Sequence, residues 1–322
     1  MGERKDIEPA APVGVVGAGT MGAGVAQCFA QAGHPVVVVD PDAQARRDGA
    51  SRLRAGLRLR SLLRGRQTAG RAGETGNSPA AEGTSGAGSP PDPASLVEFS
   101  AEISDLAGAS FVVECARERV AVKEEILRAL DEVCRPETVF ASCTSAIPIA
   151  RLGSFTGRPD RVVGTHFMNP APLKDAVEVV RSPHTSEDTL AITLGVLERL
   201  GKKPVVVGDG PGFVTNRVLM LTVNEAATVL EAGTADAETV DKIFRECFGH
   251  PMGPLRTGDL IGLDTIVDTL DVLREHTGDE RFRPCDLLQK LVADGKVGHK
   301  AGIGFHHHPK SPLVPRGDTS HG

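Results

Sequence analysis

The stretch Val13-Gly14-Val15-Val16-Gly17-Ala18-Gly19-Thr20-Met21-Gly22 decides the fold. VGVV is a short apolar run of strand type, the glycines mark a turn, and residues 23–33, AGVAQCFAQAG, space their apolar side chains as a helix does. A second strand, PVVVV at 35–39, then ends on Asp40. This compact βαβ unit implies a parallel sheet with helices on its faces. Gly17, Gly19 and Gly22 fit the pattern GxGxxG with a strand before it and a helix after it. Gly17 permits the tight turn, Gly19 lets the backbone approach a pyrophosphate, and Gly22 lets helix and strand pack closely. Thr20 and Met21 open a helix whose free N–H groups and dipole favour phosphate. Asp40 stands where a carboxylate accepts ribose hydroxyls and repels a 2′-phosphate. Pro41 follows it in place of an arginine, so NAD is favoured over NADP.

Further along, strands are predicted at Phe111–Val113, Val139–Ala141, Val162–Thr165, Val177–Val180 and Pro204–Val207, with a helix over Ala121–Val133. Residues 46–94 break the rhythm: an arginine-laden helix over Arg46–Arg66, then a Gly-, Ser- and Pro-rich stretch whose apolar content is too low to offset its ordering entropy, read as a flexible loop. Beyond Gly208-Asp209-Gly210-Pro211-Gly212 the pattern turns helical, at 213–232, 236–248, 259–274 and 285–294. The expected architecture is a doubly wound α/β Rossmann-type dinucleotide domain over 1–207, an all-helical domain over 208–305, and a frayed tail over 306–322. Leu313-Val314-Pro315-Arg316-Gly317 in that tail resembles a protease recognition site and carries no functional reading.

Composition narrows the classes. The 322 residues are 40% hydrophobic and 24% charged with a formal charge of -6, which argues against nucleic acid as partner and against wholesale disorder. No apolar run reaches membrane-span length and no apolar leader opens the chain, so a cytoplasmic protein is expected. The six cysteines form no CxxC pair, predicting reduced thiols. His306-His307-His308 has no nearby acidic or Cys partner in the sequence, so no metal site is expected.

The chemistry is expected around His166 and Glu178. Asn169-Pro170 and Ala171-Pro172 make a chain-reversing turn between two strands, which can return Glu178 to the side of His166. Histidine suits removal of an alcohol proton near neutral pH, and a carboxylate on its other nitrogen fixes the tautomer and stabilises the imidazolium. A His and a Glu twelve residues apart, taken alone, are more often structural.

Seven stretches occur in the order seen in the L-3-hydroxyacyl-CoA dehydrogenase family, which the chain resembles from about Val13 to Phe305. They are GAGTMGAGVAQ, VVEC with the following Glu118 and Lys123, SCTSAIPI, HFMNPAP with VEVV, DGPGFVTNR, HPMGP with GLD, and GHKAGIGF. The resemblance implies that His166 is the catalytic base and Glu178 its partner. It implies that Ser145 contacts the substrate oxygen and that Asn216 completes the site from the helical domain. It further implies NAD contacts at Glu118, Lys123, Asn169 and Lys300, and a homodimer formed through the helical domain. The residues alone leave Lys123 open to a solvated-helix reading and Asn169 to a purely turn-forming one.

Three departures bear on substrate. Cys143 stands where Asn is common, Lys174-Asp175 replaces an apolar–Lys pair, and the Ser and Lys that grip coenzyme A in the family fall on Gly56 and Leu63. The arginine run that includes Arg52, Arg58 and Arg64, together with Lys174, is the candidate docking surface for an acyl thioester. Its carrier is coenzyme A or an acidic acyl carrier protein, the latter as in the family branch that oxidises carrier-bound glyceryl units for polyketide extender synthesis. The alternatives are a dehydrogenase of a free hydroxy acid and an idle NAD-binding relative. Retention of Ser145, His166, Glu178 and Asn216 together argues against the idle relative.

Overall fold

The computed structural model describes residues 11–72 and 92–309, with backbone only for 61–72. It falls into two compact units, residues 1–213 and 214–322. The first holds one eight-stranded sheet: β1 (Val13–Val16), β2 (Val36–Val39), β3 (Val97–Ser100), β4 (Phe111–Glu114), β5 (Val139–Ser142), β6 (Val162–Phe167), β7 (Ala176–Arg181) and β8 (Lys203–Gly208). Their order across the sheet is β3-β2-β1-β4-β5-β6-β7-β8. Every neighbouring pair is parallel except β6 with β7, the antiparallel hairpin closed by the Asn-Pro turn. This is the doubly wound α/β fold expected from the glycine motif.

Among the described residues five helices cover the sheet: α1 (Thr20–Gln31), α2 (Ala43–Ala72), α3 (Val120–Val133), α4 (Ile149–Gly153) and α5 (Glu187–Arg199). The central strands are apolar except at their C-terminal ends, where β4 closes on Glu114 and β5 on Ser142, because both faces are buried. Val13, Val15, Phe111, Val163 and Phe167 pack with Val25, Phe29 and Val196 on one face. Val112, Phe140 and Val162 pack with Leu127, Leu130, Ile149 and Leu152 on the other. Residues 67–72, expected in the loop, instead continue α2 to Ala72. Asp42 begins this helix by accepting the N–H of Gln44 at 2.7 Å. Arginine and alanine have high helix propensity, so the helix needs little apolar contact to extend. Of the rest of that loop, expected to run to 94, residues 73–91 lie outside the described residues, and Pro93 and Ala94 open a short 3-10 turn, Pro93–Leu96, capped by Asp92.

The second unit contains α6 (Thr215–Glu231), α7 (Ala237–Phe248), α8 (Pro254–Ile261), α9 (Leu263–Thr277) and α10 (Asp286–Ala293) around Met220, Val223, Ile266, Leu270, Leu273, Phe282 and Leu288. The single helix expected at 259–274 is two helices, split at Gly262, whose φ of 107° no L side chain adopts easily. Part of the expected frayed tail is also structured. His306 Nε2 lies 2.7 Å from Asp241 Oδ2 and His308 Nε2 lies 2.8 Å from Asp259 Oδ2. Phe305 and His306 donate their backbone N–H groups to the same Asp259. Both aspartates are fully buried, so these contacts satisfy carboxylates that would otherwise be costly. Residues 310–322 lie outside the described residues.

Candidate active site

The glycine motif has the geometry its chemistry needs. Gly17 has φ 101°, and a Cβ there would lie 2.8 Å from the Cys115 carbonyl oxygen. A Cβ on Gly22 would lie 1.8 Å from the Gly17 carbonyl oxygen, so only glycine lets α1 start so close to β1. A Cβ on Gly19 would meet nothing within 4 Å, leaving that backbone accessible to a phosphate. Thr20 and Met21 open α1 there. Asp40 Oδ2 accepts the Ala18 N–H at 2.8 Å, which fixes the carboxylate beside the loop. Arg46 turns its guanidinium onto the Asp40 and Pro41 carbonyl oxygens, at 2.6 and 3.1 Å, and so is no clamp for a 2′-phosphate. These residues fit a dinucleotide of the NAD type.

On the β6–β7 hairpin His166 and Glu178 are direct register partners, so their side chains leave the same face of the sheet. His166 Nδ1 lies 3.0 Å from Glu178 Oε2, and both side chains are more than nine-tenths buried. Phe213 flanks the imidazole at a ring separation of 6.0 Å. A carboxylate on Nδ1 presents Nε2 as the proton acceptor and stabilises the imidazolium that forms.

Around the ends of β4 and β5 a carboxylate network shapes the Ser145 loop. Glu118 Oε1 accepts from the Thr144 hydroxyl and from the N–H groups of Ser145 and Ala146, at 2.5, 2.9 and 3.1 Å. Lys123 is not on a solvated helix face. It is 1% exposed, with its ammonium 2.8 Å from both Glu114 oxygens and 3.4 Å from Glu118. Burial works against its charge, but Glu114 and Glu118 outweigh burial and lift its pKa. Ser142 closes the network with a 2.6 Å hydrogen bond to Glu114. Asp209, quoted in the sequence only as part of a motif, accepts the Ile149 and Ala150 N–H groups at 2.8 and 2.7 Å and so caps α4.

The remaining predicted residues sit as follows. Asn169, at the cis Asn169–Pro170 peptide, lines a cleft of about 310 Å³ with Arg52, Gly56 and Leu59 of α2 and Thr20 and Gln27 of α1. A Cβ on Gly56 would lie 2.1 Å from Gln27 Oε1, so glycine there leaves room for the Gln27 side chain of α1. Arg58 is exposed and does not line the cleft, Lys174 is exposed, and the Arg64 side chain is outside the described residues. In the helical unit Asn216 is the second residue of α6, and Lys300 Nζ pairs with Asp264 Oδ2 at 2.5 Å. Sequence reasoning missed Glu114 and Asp209, whose neighbours lie up to 60 residues away, and Lys202, described below. Among the described residues no group of three or more His, Cys, Asp or Glu side chains could hold a metal ion.

Comparison with known proteins agrees with this geometry. The family model described as "3-hydroxyacyl-CoA dehydrogenase, NAD binding domain" matches residues 12–210, and that described as "3-hydroxyacyl-CoA dehydrogenase, C-terminal domain" matches 212–308. The probable 3-hydroxybutyryl-CoA dehydrogenase of Bacillus subtilis is 38% identical over 292 residues, covering 91% of this chain and 95% of the relative. The human mitochondrial hydroxyacyl-coenzyme A dehydrogenase is 35% identical, covering 91% and 90%. The crystal structure of (S)-3-hydroxybutyryl-CoA dehydrogenase from Ralstonia eutropha superposes with a TM-score of 0.79 at 35% identity, covering 94% of this chain and all of that one. Matched along nearly its whole described length, the chain belongs to the 3-hydroxyacyl-CoA dehydrogenase family, as an NAD-dependent oxidoreductase acting on CH–OH groups.

Proposed function

We propose that His166 is the base that takes the proton from the C3 hydroxyl of a 3-hydroxyacyl thioester, with Glu178 holding and stabilising its imidazolium. NAD, when bound, accepts the hydride from C3. The reading rests on the 3.0 Å contact between His166 Nδ1 and Glu178 Oε2 inside a sheet hairpin. Glu118 presents Ser145 towards the substrate oxygen by fixing its backbone, and Asn216 contributes from α6. Glu118, Lys123, Asn169 and Lys300 serve the NAD site, with Lys123 acting through its grip on Glu114 and Glu118. His166→Ala should lower kcat by about 10²–10⁴-fold with NAD affinity preserved, and Glu178→Gln should also be severe. Steady-state kinetics with acetoacetyl-CoA and NADH decide it, and near-normal turnover by the alanine variant would refute the assignment. Equal turnover of free 3-hydroxybutyrate and its thioester would favour the free-acid alternative.

A finer reading concerns the carrier. Arg52, Arg54 and Arg58 are exposed on α2, Arg54 and Arg58 sharing one face and Arg52 lining the cleft, and give the helix a basic surface. Such a face speeds and orients docking of an acidic acyl carrier protein. A small polar acyl unit such as glyceryl suits Lys174 and Asp175, which are exposed on the same turn. The test compares glyceryl and 3-hydroxybutyryl groups on carrier protein and on CoA at low salt. Equal or better kcat/KM with CoA, unchanged when the three arginines become Ala, rejects the carrier.

The helical unit is the proposed homodimer surface. Val218, Phe248 and Leu260 are 61, 65 and 62% exposed, and an apolar cleft of about 580 Å³ opens between α6 and α7. Exposed apolar area of this kind marks association sites. Sedimentation should give twice the chain mass, and Val218→Glu with Phe248→Glu should shift it to monomer.

A further inference from the structure

We infer that Lys202 is a positioning residue for the reaction: its buried ammonium ties down the turn that joins the two strands carrying His166 and Glu178. The inference rests on the His166–Glu178 reading above. Lys202 is 7% exposed, and its Nζ donates to the Ala171 carbonyl at 2.6 Å and to the Lys174 carbonyl at 2.7 Å. Among the described residues no carboxylate lies within ion-pair distance of it, so the charge is spent on two backbone oxygens of one turn. Local geometry aims it there. The C-terminus of α5 closes with the Lys202 N–H on Leu197 O and the Gly201 N–H on Glu198 O, and Gly201, at φ 70°, turns the chain inward. Burial raises the pKa of the Cys28 thiol of α1, and the charge of Lys202 tempers the rise. From the other side Arg60 of α2 donates to the Pro172 carbonyl at 3.1 Å and to Gln31 of α1 at 2.9 Å. A Cβ on Gly24 would lie 3.3 Å from Pro172, so α1 itself presses on the turn.

The turn spans residues 169–174, between Phe167, which ends β6, and Ala176, which starts β7. It closes the hairpin on which His166 and Glu178 are paired, and it forms one wall of the 310 Å³ cleft. Without the ammonium, the buried Ala171 carbonyl and the part-buried Lys174 carbonyl lose this donor and the turn shifts to regain one. Displacement of a catalytic pair by about 1 Å costs on the order of 10²-fold in rate. Of the proposed NAD contacts only Asn169 lies on the turn; the glycine loop and Asp40 lie outside it.

The experiment compares Lys202→Met, Lys202→Arg and His166→Ala in the full chain with acetoacetyl-CoA and NADH, rates being normalised to the folded fraction from circular dichroism. Lys202→Met should lose tenfold or more in kcat and show a larger primary isotope effect from NADH deuterated at C4. Its NADH affinity should stay within about threefold, and Lys202→Arg should restore kcat to within about threefold. Turnover of folded Lys202→Met within twofold of the parent would overturn the inference. So would a loss matched by the folded fraction with an unchanged isotope effect, which is a structural role only. If Lys202→Met yields no folded protein, Lys202→Gln is judged by the same criteria. Near-normal turnover by His166→Ala would overturn the dyad reading itself, and this inference with it.

Discussion

His34 shows how a single buried ring sets a pH dependence. It is 8% exposed and packs edge-on against Phe29 at 5.9 Å. Burial, with the charge of Arg199, lowers its pKa below the ordinary value of 6.5. The unfolded chain therefore takes the proton first as pH falls, so stability drops with falling pH in the window between about 6.5 and the depressed folded value. His34→Gln should flatten that part of the Tm–pH curve, and an unchanged slope would refute the assignment. At Asp40 the prediction is kinetic. The carboxylate both repels a 2′-phosphate and holds the Ala18 N–H, so Asp40→Ala should lower kcat/KM for NAD more than for NADP. Equal use of both cofactors by the parent would remove the basis of the argument.

Among the elements, α1 depends on one missing methyl group. With a Cβ of Gly22 only 1.8 Å from the Gly17 carbonyl, Gly22→Ala must push the helix start away from β1. NADH affinity should fall at least tenfold, read from NADH fluorescence in a chain with no Trp or Tyr to interfere. An affinity within twofold would mean that the loop tolerates the shift. The first βαβ unit was legible because its apolar runs and glycines are unambiguous, and the His166–Glu178 hairpin because two prolines announce the reversal. Strand β3, VEFS, was missed. It is short and only half-buried, and it follows a stretch without period, so its place beside β2 comes from tertiary pairing. The split at Gly262 was missed because a lone glycine in a helical pattern is usually tolerated. Asp209 and Lys202 escaped because each works on residues distant in sequence, which spacing does not encode, and Glu114 because it ends an apolar strand and is buried only by the tertiary fold.

Across the whole chain, thiol reactivity and the C-terminal strap are both consequences of burial. Among the six cysteines only Cys247 is exposed. Burial pushes the Cys134 thiol up to about 11, and a hydrogen bond with Cys143, together with burial, holds Cys115 well above 9.0. Because thiolate is the reactive form, iodoacetamide at pH 8 should label Cys247 first in the native protein and all six after denaturation. Early labelling of Cys134, read by mass spectrometry, would contradict the packing. The strap makes the second whole-chain prediction. His306→Ala leaves buried Asp241 without its imidazole and should cost roughly 1–3 kcal/mol in a urea melt. The same contacts impose an order on biosynthesis. Asp241 and Asp259 precede their histidine partners by 65 and 49 residues. As the chain leaves the ribosome, the first unit has all of its residues once Phe213 has emerged. The helical unit must wait until His306 and His308 are made, with Asp259 unanswered and Asp241 satisfied only in part by the Leu255 and Arg256 N–H groups. Nascent chains stalled at Phe305 should therefore stay protease-sensitive beyond Phe213 and resistant over 92–213.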